Sequence, residues 1–164
     1  EILDKLREAV KASLQQTGRR GEQQDGMDMA VCIIDRKTHR LNYAGAYNPL
    51  WLFRAGENGR QASFIQQKAN KQPVGVYVRE KAFTDHYIQL QKNDMFYIFS
   101  DGYHSQFNGI NKKPYRSNRL REFLRSVAHL PLNQQKQRLE AEFQAWKGTH
   151  SQIDDVLLIG IRYQ

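Results

Sequence analysis

Two apolar runs constrain the fold of this chain most, because each is apolar at successive positions and each adjoins an acidic residue. The first, Asp94–Tyr103, reads DMFYIFSDGY, and the second, Ile153–Ile161, reads IDDVLLIGI. Strands that are apolar on both alternating faces are typical of sheets buried between layers. If the two strands pair antiparallel, the end of the first lies beside the start of the second. Asp101 and Asp154 would then meet at one edge of a hydrophobic core.

Two interpretations of these aspartates follow from the residues alone. Carboxylates at the edge of a core are costly unless a cation neutralises them, and two oxygen ligands suit a hard divalent ion, Mg²⁺ or Mn²⁺. Alternatively, both are ordinary strand-end residues, because Asp side chains accept hydrogen bonds from nearby backbone N–H groups in turns. Without further information the turn interpretation is preferred.

Composition limits the class of protein. A chain of 164 residues with 40% hydrophobic content fits one domain with a sizeable core. The formal net charge of +8 permits an anionic partner, whether phosphoprotein, nucleic acid or lipid. The single cysteine, Cys32, lies in an apolar run and is interpreted as a buried, unreactive thiol in a reducing compartment. No apolar stretch approaches the ~20 residues of a membrane span.

The pattern of elements predicts an α+β fold. Leucine and valine recur at helical spacing over residues 1–17, which indicates an amphipathic helix with Arg7 on another face. Strand patterns follow at 29–35, 41–46, 50–53, 62–65, 83–90 and 95–100, the last two interpreted as a hairpin. Two helices with apolar residues at 120–127 and 139–146 precede a last strand at 156–163. Because βαβ alternation is absent, we expect helices on a largely antiparallel sheet.

Four stretches in this order resemble the SpoIIE-type branch of the metal-dependent serine/threonine protein phosphatases. They are Asp25–Asp35, Leu41–Leu50, Phe99–Tyr103 and Gln152–Ile161. A Ser-Asp-Gly sequence alone is uninformative, but Ser-Asp-Gly after an apolar strand, followed some fifty residues later by Asp-Asp before a terminal strand, is fairly specific. The resemblance covers nearly the whole chain.

The resemblance implies a fold and a reaction. The fold is an αββα sandwich of mainly antiparallel sheets flanked by helices, and the reaction is hydrolysis of a phosphomonoester at a centre of two Mn²⁺ or Mg²⁺ ions. By position in the motifs, Asp101 and Asp154 match metal ligands, and the resemblance reverses the preference for turn residues. We expect their carboxylates to face each other within reach of one ion. Gly102, Asp155 and His104 are secondary candidates, with Asp155 turned elsewhere and a plain surface role more usual for His104.

Two upstream motifs of the family are missing from residues 1–164. They are a Gly-Asp-aromatic-aromatic motif and an Asp-containing Gly-His-Gly motif, which supply further metal-holding acids. The chain also opens at Glu1 without an initiator methionine. We therefore interpret residues 1–164 as the C-terminal portion of the catalytic domain, with a partial or empty metal site and no activity of its own.

A basic segment follows the Ser-Asp-Gly motif. It contains Lys112, Lys113, Arg116, Arg119, Arg121 and Arg125, with Glu122 as the acid among them. Lys112, Lys113 and Arg116 are candidates for steering a phosphoprotein, although a solvated helix face is the commoner explanation of such a run. Aromatic residues fall in strand or helix stripes rather than in base-stacking positions, so nucleic acid is a disfavoured partner.

The resemblance also implies a biological setting. The complete bacterial protein would remove phosphate from phosphoserine or phosphothreonine on a regulatory signalling protein, such as an anti-sigma-factor antagonist. An N-terminal sensor region would lie in the same polypeptide, and the catalytic region would be cytoplasmic even if the parent is membrane-anchored. The rival hypothesis is a non-catalytic interaction domain, or a basic module that binds anions or nucleic acid.

Overall fold

Helical and alternating patterns in the sequence correspond to helices and strands in the computed structural model, which describes residues 1–19, 25–56 and 63–164. The helices are α1 (Ile2–Ser13), α2 (Gly102–Ser105), α3 (Ser117–Val127) and α4 (Leu132–Lys147). The strands are β1 (Gly26–Met27), β2 (Met29–Asp35), β3 (Arg40–Ala46), β4 (Leu50–Arg54), β5 (Ser63–Gln67), β6 (Val74–Gly75), β7 (His86–Gln89), β8 (Met95–Phe99) and β9 (Leu158–Arg162). The fold is α+β, as predicted.

The chain forms two compact units, of which the first comprises Glu1–Leu50 and Gln66–Gln91. Its main sheet has the order β2-β3-β7, with antiparallel pairing throughout, and β1 pairs separately with β6. The β2–β3 turn is closed by Asp35, whose Oδ1 accepts the Lys37 N–H at 2.8 Å. Leu3 of α1 packs against Ala46, Val74 and other apolar residues, which bury one face of the helix.

The second unit comprises Trp51–Ile65 and Lys92–Gln164. Its sheet has the order β5-β4-β8-β9, and the two inner strands, β4 and β8, are each buried at four of five residues. Tyr97 and the other odd-numbered residues of β8 pack against Leu120 of α3 and Phe143 of α4. The Tyr97 hydroxyl donates to Oε1 of the buried Gln135 at 2.7 Å, so α4 is attached to the sheet by a hydrogen bond as well as by apolar contact.

Strand pairing differs from one prediction. The segments 83–90 and 95–100 do not form a hairpin, because β7 pairs with β3 in the first unit and β8 pairs with β9 in the second. The predicted strand at 62–65 is observed at Ser63–Gln67, and residue 62 lies outside the described residues. Alternation of side chains along the sequence shows where a strand lies and which of its faces is buried. It does not show which other strand is its neighbour, so the strand positions were predicted correctly while their pairing was not.

Burial differs from prediction at three places. Arg7 is buried rather than solvated, and its guanidinium donates to Asp4 at 3.1 Å and to the Lys81 carbonyl at 2.8 Å. Cys32 is half-buried, and burial raises the pKa of its thiol to about 11. The last strand, β9, is half-buried and partly exposed, unlike the fully covered strand expected from its sequence.

None of the helices in the described ranges combines the length and hydropathy that crossing a bilayer requires.

Candidate functional site

The candidate site lies where β8 ends and the segment before β9 begins. The two strands are antiparallel, as predicted, with Met95 opposite Arg162 and Phe99 opposite Leu158. The pairing continues beyond the strands, because the Ser100 N–H donates to the Leu157 carbonyl at 3.0 Å. The Ser100 hydroxyl also accepts the Leu157 N–H at 3.0 Å and donates to the Asp155 carbonyl at 2.9 Å. Ser100 therefore holds the acidic segment against the end of β8.

Gly102 brings the two acidic segments into backbone contact. A Cβ on this residue would collide with the carbonyl oxygen of Asp155 and would lie 3.4 Å from the carbonyl carbon of Asp154. Only glycine permits so close an approach between a helix start and a neighbouring backbone. The Asp101-Gly102 and Asp154-Asp155 pairs are thus adjacent in space although they are more than fifty positions apart in the sequence.

Both aspartates make the local bonds expected of residues at strand and helix ends. Asp101 precedes α2, and its carbonyl accepts the Ser105 N–H at 2.9 Å. Asp154 Oδ1 accepts the Asp155 N–H at 2.7 Å, and its carbonyl accepts the Gln152 amide at 2.8 Å. Both side chains are exposed. The predicted cost of burying unpaired carboxylates therefore does not arise at these two side chains.

His104 lies on α2 beside the end of β8, and it is half-buried rather than a plain surface residue. Its ring meets Phe99 edge-on, with 6.1 Å between ring centroids. Burial lowers the pKa of the imidazole, and the nearby Asp101 carboxylate opposes this shift. Within the described part of the chain, no group hydrogen-bonds to its buried Nδ1 atom. The neutral ring is therefore favoured at this position.

Gln106 is a positioning residue that the sequence analysis missed. Its buried side chain donates to the Ser151 carbonyl at 3.0 Å and accepts the Ile153 N–H at 3.3 Å. Its own carbonyl accepts the indole N–H of Trp146 at 3.0 Å. Gln106 thus attaches the approach to Asp154 to the end of α2 and to α4. An isolated glutamine in a loop carries no sequence signal for this role.

The basic segment divides into two groups. Arg119 pairs with Glu142 at 2.9 Å and lies 4.2 Å from the Trp146 ring centroid. Arg121 and Arg125 both pair with Glu122. In contrast, Lys112, Lys113 and Arg116 are exposed on the loop between α2 and α3. The Arg116 N–H donates to the His104 carbonyl at 2.7 Å, so this loop is joined directly to α2 beside Asp101.

The chemistry of the donor groups fits a hard divalent cation, but their number is small. Asp101 and Asp154 offer carboxylate oxygens, the ligands that Mg²⁺ and Mn²⁺ prefer. In residues 1–19, 25–56 and 63–164, however, no group of three or more His, Cys, Asp or Glu side chains is placed to hold a metal ion. Within these residues the two aspartates therefore do not belong to a group of three or more metal-ligating side chains.

Known proteins resemble this chain in sequence family and in fold. The family model for stage II sporulation protein E (SpoIIE) matches residues 1–164. A comparison with curated protein sequences found no significant match. Among solved structures, the SiaA-PP2C domain of Pseudomonas aeruginosa is 24% identical with a TM-score of 0.84, and the match covers 99% of this chain and 60% of that chain.

Two further similar structures were determined with a divalent metal, one after soaking in manganese and one in complex with magnesium. The phosphatase domain of SpoIIE from Bacillus subtilis, presoaked in Mn, is 18% identical with a TM-score of 0.56, over 98% of this chain and 71% of that one. RsbX in complex with magnesium is 12% identical with a TM-score of 0.57, over 99% of this chain and 64% of that one. At these identities the likeness establishes a PP2C-like fold, and residues 1–164 span 60% of the SiaA chain.

Proposed function

The chain belongs to the SpoIIE family, and from this premise we propose that the protein containing it is a metal-dependent phosphatase of phosphoserine or phosphothreonine. The observation that carries the proposal is the contact between Gly102 and the Asp154-Asp155 backbone. Two acids from distant parts of the chain are brought to one sheet edge by this contact.

In this proposal Asp101 and Asp154 are metal ligands. A bound Mn²⁺ or Mg²⁺ would supply positive charge to the phosphoryl oxygens and to the attacking water. The chain's own groups orient the Asp154 carboxylate: the Asp155 N–H binds Asp154 Oδ1, and Ser100 fixes the Asp155 carbonyl. Asp155 itself is not assigned as a direct ligand, because in the family motif it occupies the position next to the acid that Asp154 matches. His104 is a candidate neighbour of the phosphate rather than a ligand.

The remaining ligands would come from elsewhere in a longer protein. A two-metal centre needs several carboxylates, because Mg²⁺ in particular loses its water ligands reluctantly. The described residues offer two acids at the site. We therefore expect residues 1–164 alone to bind these ions weakly and to hydrolyse p-nitrophenyl phosphate no faster than buffer does.

The substrate would be a phosphorylated regulatory protein, of which an anti-sigma-factor antagonist is one example. The exposed cations Lys112, Lys113 and Arg116 lie on the loop bonded to α2, where they would attract an acidic phosphoprotein towards the site. An N-terminal sensor region in the same polypeptide and a cytoplasmic location for the catalytic region belong to the same proposal. Family membership supports each of them.

Substitution of the two aspartates in the full-length protein tests the proposal. We expect Asp101→Asn and Asp154→Asn each to reduce Mn²⁺-dependent hydrolysis of p-nitrophenyl phosphate by more than about a hundredfold, since loss of a supporting group alone costs about 10–100-fold. Asp155→Asn is the adjacent control and should retain much more activity. Asp28→Asn, at an exposed aspartate with no assigned role, should be unaffected.

Two outcomes would contradict the proposal. Full-length protein that is indifferent to both substitutions would remove Asp101 and Asp154 from the metal centre. Full-length protein with no metal-dependent hydrolysis at all would favour the non-catalytic interaction domain. Circular dichroism and thermal unfolding of each variant separate loss of ligands from loss of fold.

A further inference from the structure

Arg116 occupies a backbone position that suits arginine poorly. Its φ of 72° and ψ of 146° lie close to a region that is essentially confined to glycine. It is also the N-cap residue of α3, where Ser, Thr, Asp, Asn and Gly are preferred, and its side chain makes no capping hydrogen bond. A cation at this end of a helix is further disfavoured by the helix dipole. Glycine would therefore suit the fold better at this position.

The backbone of Arg116 is nevertheless fixed on both sides. Its N–H donates to the His104 carbonyl at 2.7 Å, and its carbonyl accepts the Leu120 N–H at 3.2 Å. The preceding residue, Tyr115, is buried, and its N–H donates to the Gln106 carbonyl at 2.9 Å. A strained conformation persists where surrounding contacts determine it in this way. These contacts use backbone groups, so the position of Arg116 does not depend on its own side chain.

The Arg116 side chain has no acidic partner in the part of the chain that the structure describes. The three other arginines of the basic segment each pair with a glutamate of α3 or α4. The side chain of Arg116 is exposed, and no described carboxylate forms an ion pair with it. Its guanidinium, which carries five N–H donors, is therefore available to an anion from solvent.

Arg116 lies beside the candidate metal ligand Asp101. The carbonyl that accepts its N–H belongs to His104 in α2, a helix of four residues whose N-cap residue is Asp101. One helical turn rises about 5.4 Å, a span that the long side chain of an arginine can cover. Both side chains are exposed, so one ligand can reach both from solvent. Arginine binds phosphate through two parallel N–H···O bonds, which a lysine cannot form.

We propose that Arg116 binds the phosphoryl group of the substrate, its guanidinium donating to two phosphoryl oxygens. This contact explains why an arginine occupies a position that glycine would suit better. The inference rests on the proposed function and deepens it, because it assigns a substrate contact at the same site. It also goes beyond steering by exposed cations, since a direct contact acts on the smallest phosphate ester as well as on proteins.

Binding of inorganic phosphate to the full-length protein tests the contact without requiring turnover. Isothermal titration calorimetry in the presence of Mg²⁺ gives the Kd of each variant. We expect Arg116→Gly to weaken phosphate binding about 10- to 100-fold, the range expected for loss of hydrogen bonds between charged groups. Arg116→Lys should lose part of the affinity, because it keeps the charge but not the paired donors. Wild-type protein that binds no phosphate, or Arg116→Gly protein that binds it equally well, would overturn the proposal.

Urea unfolding gives a readout that a structural role for the side chain would move in the opposite direction. Arg116→Gly keeps the N–H that binds His104 and relieves the strained backbone. We expect this relief to outweigh the added freedom of the unfolded chain and to raise the unfolding midpoint. Weaker phosphate binding together with higher stability cannot result from damage to the fold. A lowered midpoint would show that the side chain serves the fold and would overturn the proposal.

The matched control is Arg36→Gly, the same change in the exposed β2–β3 turn at a residue whose φ is not positive. It should leave phosphate binding unchanged and should not raise the unfolding midpoint. Equal weakening of phosphate binding by Arg36→Gly and Arg116→Gly would assign the effect to net charge and would overturn the proposal.

Hydrolysis of p-nitrophenyl phosphate separates this inference from the proposed function. If the wild type hydrolyses the ester and Arg116→Gly retains its full kcat/KM, the phosphatase function stands and the phosphate contact is refuted. If the wild type hydrolyses nothing but its phosphate binding depends on Arg116, the contact stands and the phosphatase function is refuted.

Discussion

At the scale of single residues, Gly102 determines how closely the two acidic segments approach. Alanine favours a helix over glycine by about 1 kcal/mol, so Gly102→Ala would stabilise α2 in isolation. The added methyl group would nevertheless meet the Asp155 carbonyl, which belongs to backbone and cannot rotate away. Since inserting a methyl group into a packed site costs about 1–3 kcal/mol, we expect net destabilisation in urea unfolding.

The control for Gly102→Ala is Ser105→Ala in the same short helix. Its hydroxyl lies 3.5 Å from Asp101 Oδ2, which is too long for a strong bond, so we expect a change within about 0.5 kcal/mol. Equal stability of Gly102→Ala and the wild type would mean that the acidic segments can separate without cost. The close approach of Gly102 to the Asp154-Asp155 backbone would then no longer support the proposed function.

His104 should make stability depend on pH. Burial lowers the pKa of the folded imidazole below its ordinary value of 6.5. In the window below that value the unfolded chain therefore binds a proton that the folded chain does not, and stability falls as pH falls. We expect His104→Asn to reduce this dependence between pH 7.5 and pH 5.5, as measured by urea unfolding at each pH. Parallel pH profiles for the two proteins would contradict the prediction.

At the scale of elements, local patterns predicted what each segment becomes but not which segment it meets. The strand at 29–35 agrees with β2, and the apolar stripes at 120–127 and 139–146 lie within α3 and α4. Those elements depend on side-chain spacing along the chain. The partner of β7 could not be predicted in the same way, because β3 lies some forty residues upstream and adjoins it only in the folded unit.

Buried polar groups were the other element-scale feature that spacing did not reveal. The helical pattern places Arg7 on a face where a charged side chain is normally solvated. It is buried instead, and Asp4 and the Lys81 carbonyl bind its guanidinium. Gln135 is likewise buried in α4, where it accepts from Tyr97 and donates to the Leu130 carbonyl at 2.8 Å. Burial of each side chain is compensated by hydrogen bonds, and one partner of each, Lys81 for Arg7 and Tyr97 for Gln135, is far away in the sequence. Sequence periodicity contains no information about these distant partners.

The buried ion pair between Arg54 and Asp94 should fix β4 against the start of β8. Arg54 donates to both carboxylate oxygens, at 2.9 and 2.7 Å, and Asp94 is fully buried. Removing one partner of a buried pair leaves an uncompensated charge, so Arg54→Met should cost about 3–5 kcal/mol in urea unfolding. We expect Asp94→Asn in that background to recover part of the loss, because it removes the stranded charge. A loss below about 0.5 kcal/mol for Arg54→Met would instead be typical of a solvated surface pair.

At the scale of the whole molecule, the sequence predicted the fold class and the meeting of β8 with β9, and the family resemblance supplied the motifs. The adjacency of Asp101 and Asp154 follows from antiparallel pairing of two apolar runs, which is why it was predictable. The exposure of the two aspartates was not predictable in the same way. Strands that are apolar on both faces indicate complete burial, whereas β9 is partly exposed to solvent. Assignment of the two aspartates as metal ligands stays a prediction that the substitutions above test.

The exposed cations near the site should act on protein substrates through long-range charge. If the full-length protein is the proposed phosphatase, we expect the double substitution Lys112→Glu/Lys113→Glu to slow its association with an acidic phosphoprotein and to flatten the salt dependence of that association. Turnover of p-nitrophenyl phosphate should change little, because a small ester needs no steering. Stopped-flow association rates at several salt concentrations, alongside steady-state turnover of the ester, measure both effects.

The matched control is Arg36→Glu/Lys37→Glu in the exposed β2–β3 turn. Each substitution replaces one positive charge with one negative charge, so either pair lowers the formal net charge of the chain from +8 to +4. If attraction depends on where the charge lies, only the substitutions at 112 and 113 should slow association strongly. Equal slowing by both pairs would assign the effect to net charge alone. Equal loss of activity on protein and ester would instead point to damage at α2, to which this loop is bonded through Arg116 and His104.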